Sequence, residues 1–180
     1  MNAAGLTRDV AQAEVRRQVL PLALATPESF SRYGQVILPT EDGLPYGPHD
    51  AQLELSQGTP RFYAMRLNHR GMVFRHITRH RRVTQCLGAM MGRDWMIGVA
   101  APDGARDAPG LETIRGFLVP GDRFVKLHAG TWHAGPYFAD EAANFYNLEL
   151  ADTNMVDHQT CNLNEAFGLE FEFGRVPVPE

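Results

Sequence analysis

Beyond Gly34, no stretch of this chain keeps its apolar residues at helical spacing, and that absence is the strongest constraint on its fold. In its place run short apolar or alternating segments, each closed by Gly, Pro, Asn or Asp. The segments QVIL, RFYAMRL, MVFRHI, QCLGAM, WMIGVAA, IRGFLV, RFVKLH, NFYNLEL and LEFEF read as strands. Those between them, among them NHRG, PDGARDAPG, VPGD and HAGTWHAGP, read as turns. Many short strands with little helix predict an all-β domain. A jelly-roll barrel closes the sheet edges and leaves an interior for a ligand.

Helix is expected only near the N-terminus. In ATPESFSRYG (Ala25 to Gly34), Thr26 suits a cap, Pro27 the first helical position and Gly34 the exit. Thr7 to Val19 reads as a short amphipathic helix or loose chain. Residues 1–19 are therefore taken as an extension and residues 20–180 as a single barrel domain. Its formal charge of −4 and pI near 6.0 give no general pull toward nucleic acid or anionic membrane. The basic run RHITRHRR (Arg75 to Arg82) reads as a solvated charge run. Cys86 and Cys161 lack C-x-x-C spacing, so neither a zinc knuckle nor a disulfide framework is indicated. No apolar run is long enough to span a bilayer, and charges interrupt any signal-peptide core; the expected address is the cytoplasm.

Strand alternation sorts the polar residues. His76, Thr78 and His80 share one parity; so do Phe124, Lys126 and His128; so do Phe145, Asn147 and Glu149. Each set faces either water or a polar cavity, because buried polar groups need partners. Strand by strand, water is the simpler reading; three such sets in one chain bring a shared cavity level with it. His76 reads as a strand-surface histidine, and Phe62, Tyr63 and Phe117 as core.

The stretch His80 to Gly92 has the rhythm of the first cupin motif, with Gln85 at a usual glutamate position and Thr78 at that of the first histidine. HAGTWH (His128 to His133) matches the second motif, with His133 as its final histidine. More closely, His80, Thr84, Gln85, Gly92, Trp132, His133 and Pro136 resemble the ureidoglycolate lyase family, also called ureidoglycolate hydrolase. The stretches GPHDAQLELS, PRFYAMRL, KLHAGTWHAGP and FYNLELADTNMVDH are most similar to its plant-type branch, over about Pro27 to Phe173. The chain departs from the bacterial lyases at LADTNMVDH, where they carry an Asp-Arg-Gly-Gly segment, and at Lys126, which is uncharged in them.

The resemblance implies a cupin-like double-stranded β-helix, a homodimer, and a lyase of allantoin and purine catabolism that cleaves ureidoglycolate, an α-hydroxy carboxylate, to glyoxylate and urea. His80 and His133 are then the acid–base groups, or ligands, with Gln85, of a divalent metal such as nickel, manganese or zinc. Lys126 is the expected carboxylate anchor, with Arg66 and Arg79 as rivals. Gln85, Trp132, His128, Asn147 and Glu149 are expected to line the substrate pocket, Trp132 as its wall, with Asp152 nearby. Two other classes stay open: a metal-dependent cupin of different chemistry, an isomerase or dioxygenase, and a non-catalytic cupin that binds a small acid or sugar.

Overall fold

Valine, isoleucine and aromatic residues recur along the expected strands, and the described residues pair into three sheets. The computed structural model describes residues 15–104 and 106–175. In chain order the first elements are β1 (Arg16–Leu20), β2 (Leu22–Leu24), α1 (Pro27–Phe30), β3 (Gly34–Ile37) and β4 (Pro60–Asn68). Then come β5 (Val73–Phe74), β6 (His76–Arg79), β7 (Gln85–Ala89), β8 (Trp95–Ala100), β9 (Arg115–Val119) and β10 (Phe124–Leu127). The remainder are β11 (Trp132–Tyr137), β12 (Ala142–Leu150), α2 (Thr153–Val156), β13 (Gln159–Asn162), α3 (Leu163–Phe167) and β14 (Leu169–Phe173).

A five-stranded sheet, β3-β10-β7-β12-β4, faces a six-stranded sheet, β13-β6-β11-β8-β9-β2; a three-stranded sheet, β1-β14-β5, completes the fold. The all-β jelly-roll architecture is the one the pattern predicts. Phe30, Leu87, Trp95, Ile97, Phe117 and Phe145 fill a core between the two large sheets. A second core, with Phe74, Trp132, Tyr137, Phe171 and Phe173, lies between the six- and three-stranded sheets. Each such fully buried side chain contributes roughly 1.5–3 kcal/mol of burial energy. No helix among the described residues is long and apolar enough to cross a membrane.

All the expected strands form. The one read from MVFRHI breaks at Arg75 into β5 and β6 and so changes sheets, from the three-stranded to the six-stranded. HAGTWHAGP was expected as a turn, but its second half is β11. Its Gly135 and Pro136 mark a register shift between Ala134 and Tyr137, a bulge within a strand rather than the end of one. Thr7 to Val19 was expected as helix or loose chain. Arg16–Leu20 instead pairs in parallel with β14, held by the backbone ladder and by Arg17 on Glu170 at 2.7 Å; the rest of that segment lies outside the described residues. In α1, Thr26 caps as expected, exchanging hydrogen bonds with Ser29. The helix is a single turn, and Gly34 opens β3 rather than closing the helix. A Cβ there would sit 1.9 Å from the Lys126 carbonyl oxygen, so the close pairing of β3 with β10 requires glycine.

Candidate active site

A cavity of about 600 Å³ opens between the two large sheets and draws a different chemistry from each. The six-stranded sheet presents His76, Thr78 and His80, which alternation along β6 turns to one side, and His133, which stands opposite Thr78 on β11. The five-stranded sheet presents Tyr63, Gln85, Asn147 and Glu149. Three of these four are buried; Tyr63 is half-buried.

The two buried histidines are fixed by backbone carbonyls. Nδ1 of His80 lies 2.5 Å from the Asp157 carbonyl oxygen, and Nδ1 of His133 lies 3.2 Å from that of Thr131. A carbonyl only accepts, so each Nδ1 carries the proton and each Nε2 keeps its lone pair. Their ring centroids are 5.1 Å apart. Burial, with His80 next to it, pushes His133 down to about 3. Burial likewise lowers His80. Both rings are therefore neutral near pH 7, suited to accept a proton or to bind a metal.

A third imidazole, His158, lies beside His80, with ring centroids 5.5 Å apart. The sequence reading did not single it out. It lies in LADTNMVDH, the segment the resemblance leads one to expect to differ from the bacterial lyases. That segment also supplies the Asp157 carbonyl that holds His80, and the Asp157 carboxylate accepts from the backbone N–H groups of Arg81 and Arg82 at 2.8 Å each. No local spacing announces His158; only the path of the chain from α2 to β13 brings it here.

Opposite the histidines, one polar network covers the wall. Gln85 Nε2 donates to Asn147 Oδ1 at 3.2 Å and to Glu149 Oε2 at 3.0 Å. Asn147 donates to the Tyr63 hydroxyl at 3.0 Å, which donates to Glu149 Oε1 at 3.1 Å, and Asn154 adds a donor at 3.3 Å. Four residues thus hold the buried Glu149 carboxylate and its neighbours in fixed orientations. Burial first, then Glu149, raises Tyr63, which keeps the phenol a donor. Tyr63 was expected as core; its hydroxyl makes it part of the site instead.

Two cations stand at the cavity, Arg70 and Arg75. Arg70 lies 4.3 Å over the Tyr137 ring and donates to the Pro136 carbonyl at 3.3 Å. Arg75, at the break between β5 and β6, is exposed and has no side-chain hydrogen bond among the described residues.

The expected anchor is elsewhere. Lys126 and His128 lie on the outer face of the five-stranded sheet, because burying Val125 and Leu127 in the core turns their neighbours on β10 outward. Trp132 does not wall the cavity. It precedes His133 on β11 and so faces the other way, into the second core, where its Nε1 donates to Asp103 at 3.2 Å. Arg79 caps that same ring at 4.2 Å and pairs with Asp103 at 2.9 Å, fully buried away from the cavity. Arg66 is exposed on β4, and Asp152 precedes α2; neither lines the cavity. His76 is exposed, as expected, at the cavity mouth, and Phe62, expected as core, is 68% exposed. Phe117 is core, as expected.

His80, His133 and Gln85 do converge on the cavity. Among the described residues the buried Gln85 Oε1 has no hydrogen-bond partner, which leaves it an acceptor beside the two imidazole Nε2 atoms. Those three donors fit a divalent metal, weakly, since an amide oxygen is a neutral ligand. Among the described residues no group of three His, Cys, Asp or Glu side chains is close enough to hold an ion.

Among solved structures, Bacillus subtilis oxalate decarboxylase is similar at 15% identity with a TM-score of 0.39, over 62% of this chain and 26% of that chain. A mutant of the same enzyme scores 0.37 over 72% and 38%. This chain thus spans well under half of those, and likeness at that level says nothing of chemistry. The curated ureidoglycolate lyases of Escherichia coli K12 and Shigella boydii serotype 18 are each 27% identical over 154 residues, covering 79% of this chain and 92% of theirs. The sequence profile of ureidoglycolate lyase matches residues 17–170, nearly the whole barrel, and the chain belongs to the ureidoglycolate lyase family.

Proposed function

We propose that this chain cleaves ureidoglycolate to glyoxylate and urea. The observation that carries the reading is the pairing, across one cavity, of neutral imidazoles with a fixed amide and carboxylate wall, in a chain of this family.

The α-carbon of ureidoglycolate bears a carboxylate, a hydroxyl and a ureido nitrogen. The hydroxyl gives up its proton, the carbon–nitrogen bond breaks as the carbonyl forms, and the leaving nitrogen takes a proton. The products are glyoxylate and urea, with no other reactant needed. Arg70 and Arg75 hold the carboxylate, the role that Lys126 cannot fill from the far side of the sheet. Glu149 and Asn147 accept the ureido N–H groups, in orientations fixed by Gln85 and Tyr63. His80, through its free Nε2, accepts the hydroxyl proton, and His158 beside it completes a route for proton return to the leaving nitrogen. His133 and Gln85 orient the same hydroxyl. A divalent metal would be held by the Nε2 atoms of His80 and His133 with Gln85, and would supply Lewis acidity toward the hydroxyl oxygen in place of the proton acceptance that a metal-free His80 Nε2 provides.

The test is release of urea and glyoxylate from each enantiomer of ureidoglycolate, by protein stripped of metal and then resupplied with nickel, manganese or zinc. Release above the spontaneous rate from one enantiomer supports the reading. Spontaneous rates from both enantiomers with every metal overturn it.

A further inference from the structure

Lys126 is the only lysine in a chain of sixteen arginines, and it is 3% exposed. A buried ammonium ordinarily has a carboxylate beside it. Among the described residues Lys126 has none; its one hydrogen-bond partner is His128 Nδ1, at 3.1 Å. His128 Nε2 lies 3.2 Å from the Ser31 carbonyl oxygen, so Nε2 carries the ring proton and Nδ1 accepts from the lysine. Two of the three ammonium donors remain unused.

These two side chains line an open hollow of about 680 Å³ on the outer face of the five-stranded sheet, between α1 and the loop that follows β3. Gln35, Thr40, His49 and Gln52 also line it, and no Asp or Glu does. The loop is tied down over the site. Gln35 donates to the Pro48 and Asp50 carbonyls at 3.3 and 3.2 Å and accepts from the Gln52 N–H at 2.9 Å. The acids of this loop, Glu41, Asp42, Asp50 and Glu54, are not among the residues that line the hollow, and the Asp50 carboxylate accepts from the Gly47 N–H at 2.7 Å.

We propose that Lys126 and His128 form the floor of a second binding site, separate from the central cavity, for a small oxoanion, a phosphate or a carboxylate. The geometry suits a compact ammonium better than a guanidinium: one point charge, held by a neutral imidazole, at the base of a hollow with neutral walls. Burial also holds Lys126 below its ordinary range, as expected of a charge whose counter-ion is not part of the described chain. A bound anion reverses that shift. This inference goes beyond the proposed reaction and does not depend on it.

Its test uses the intact chain with [ε-13C]lysine, which gives one signal because there is one lysine. The signal is followed by NMR while inorganic phosphate, or glycolate, is added against sodium chloride at equal ionic strength. Saturable movement is expected, with the titration midpoint of Lys126 rising in the saturated protein. Response to phosphate alone assigns the site to phosphate compounds, and response to glycolate alone to carboxylates; both support the proposal. A Gln52→Glu variant, which brings an acid to the hollow, should bind about tenfold more weakly by like-charge repulsion at close range. The Arg75→Ala protein, altered in the cavity at a residue that lines neither this hollow nor the space beside His128, should respond as the parent does, which separates this hollow from the cavity. No saturable response to either anion overturns the proposal. So does a signal that moves only on dilution, which would put a second copy's carboxylate in that place.

Discussion

On the inner face of the five-stranded sheet, Tyr63, Gln85, Asn147 and Glu149 join their polar atoms into one network. On the outer face, Phe62 and Tyr146 stack with ring centroids 5.9 Å apart in the open, beside Leu148 and Phe124. The usual arrangement, apolar in and polar out, is reversed over half of this sheet. Phe145 on β12 still packs into the core, while Asn147 and Glu149 further along the same face line the cavity. The difference teaches how this sheet buries a polar network: where the two large sheets part, Gln85, Asn147 and Glu149 are buried together with nearly every donor matched. Replacing a member of that inner network therefore strands several partners at once, whereas replacing Phe62 or Tyr146 on the outer face removes exposed surface.

The largest break should come from Glu149→Leu. It leaves Gln85, Tyr63 and Asn154 donors without an acceptor in a buried wall, and should cost about 3 kcal/mol of stability, measured by urea denaturation. Next is a pH effect from the opposite wall. His133 sits at about 3 when folded, against about 6.5 unfolded. Its contribution is fully present above pH 6.5 and is lost as the pH falls toward 3, because the unfolded chain takes up a proton that the folded one refuses. Between pH 7 and 5 the chelator-treated protein should lose about 2 kcal/mol through this group, and His133→Asn should flatten that slope. Third, Arg75→Ala should raise KM for ureidoglycolate about tenfold with little change in kcat, as expected for an exposed anchor of the substrate carboxylate. Smallest is the outer face: Phe62→Ser, at a side chain 68% exposed, should change stability by less than about 0.5 kcal/mol.

Much of the fold was legible because strand signals are local. Alternation and turn residues located strands such as β4, β7, β8 and β12, and Thr26 with Pro27 marked α1. β1 was not legible, because four of its five residues are exposed and its partner, β14, lies at the other end of the chain. β11 was hidden by the glycine and proline of its bulge. In the candidate site, parity grouped residues correctly but could not say which group faced inward. On β12 the polar set, Asn147 and Glu149, lines the cavity; on β10 the polar residue, Lys126, points out because Val125 and Leu127 already fill the core. Reading the apolar neighbours first would have placed Lys126 outside. The same one-residue step separates Trp132 from His133. His158, Arg70 and Arg75 reach the cavity by tertiary path, which no spacing in the sequence encodes.

The most direct test measures urea release from ureidoglycolate by four variants whose circular dichroism matches the parent. His133→Asn and Glu149→Gln change the inner walls; Phe62→Ser and Tyr146→Ser change the outer face. The account predicts that the inner pair each lose about a hundredfold or more in kcat/KM, the scale of removing a positioned proton-transfer or hydrogen-bonding group, while the outer pair stay within about twofold. Inner variants that keep the parental rate, or outer variants that lose as much, would contradict it and move the reaction away from the cavity between the sheets.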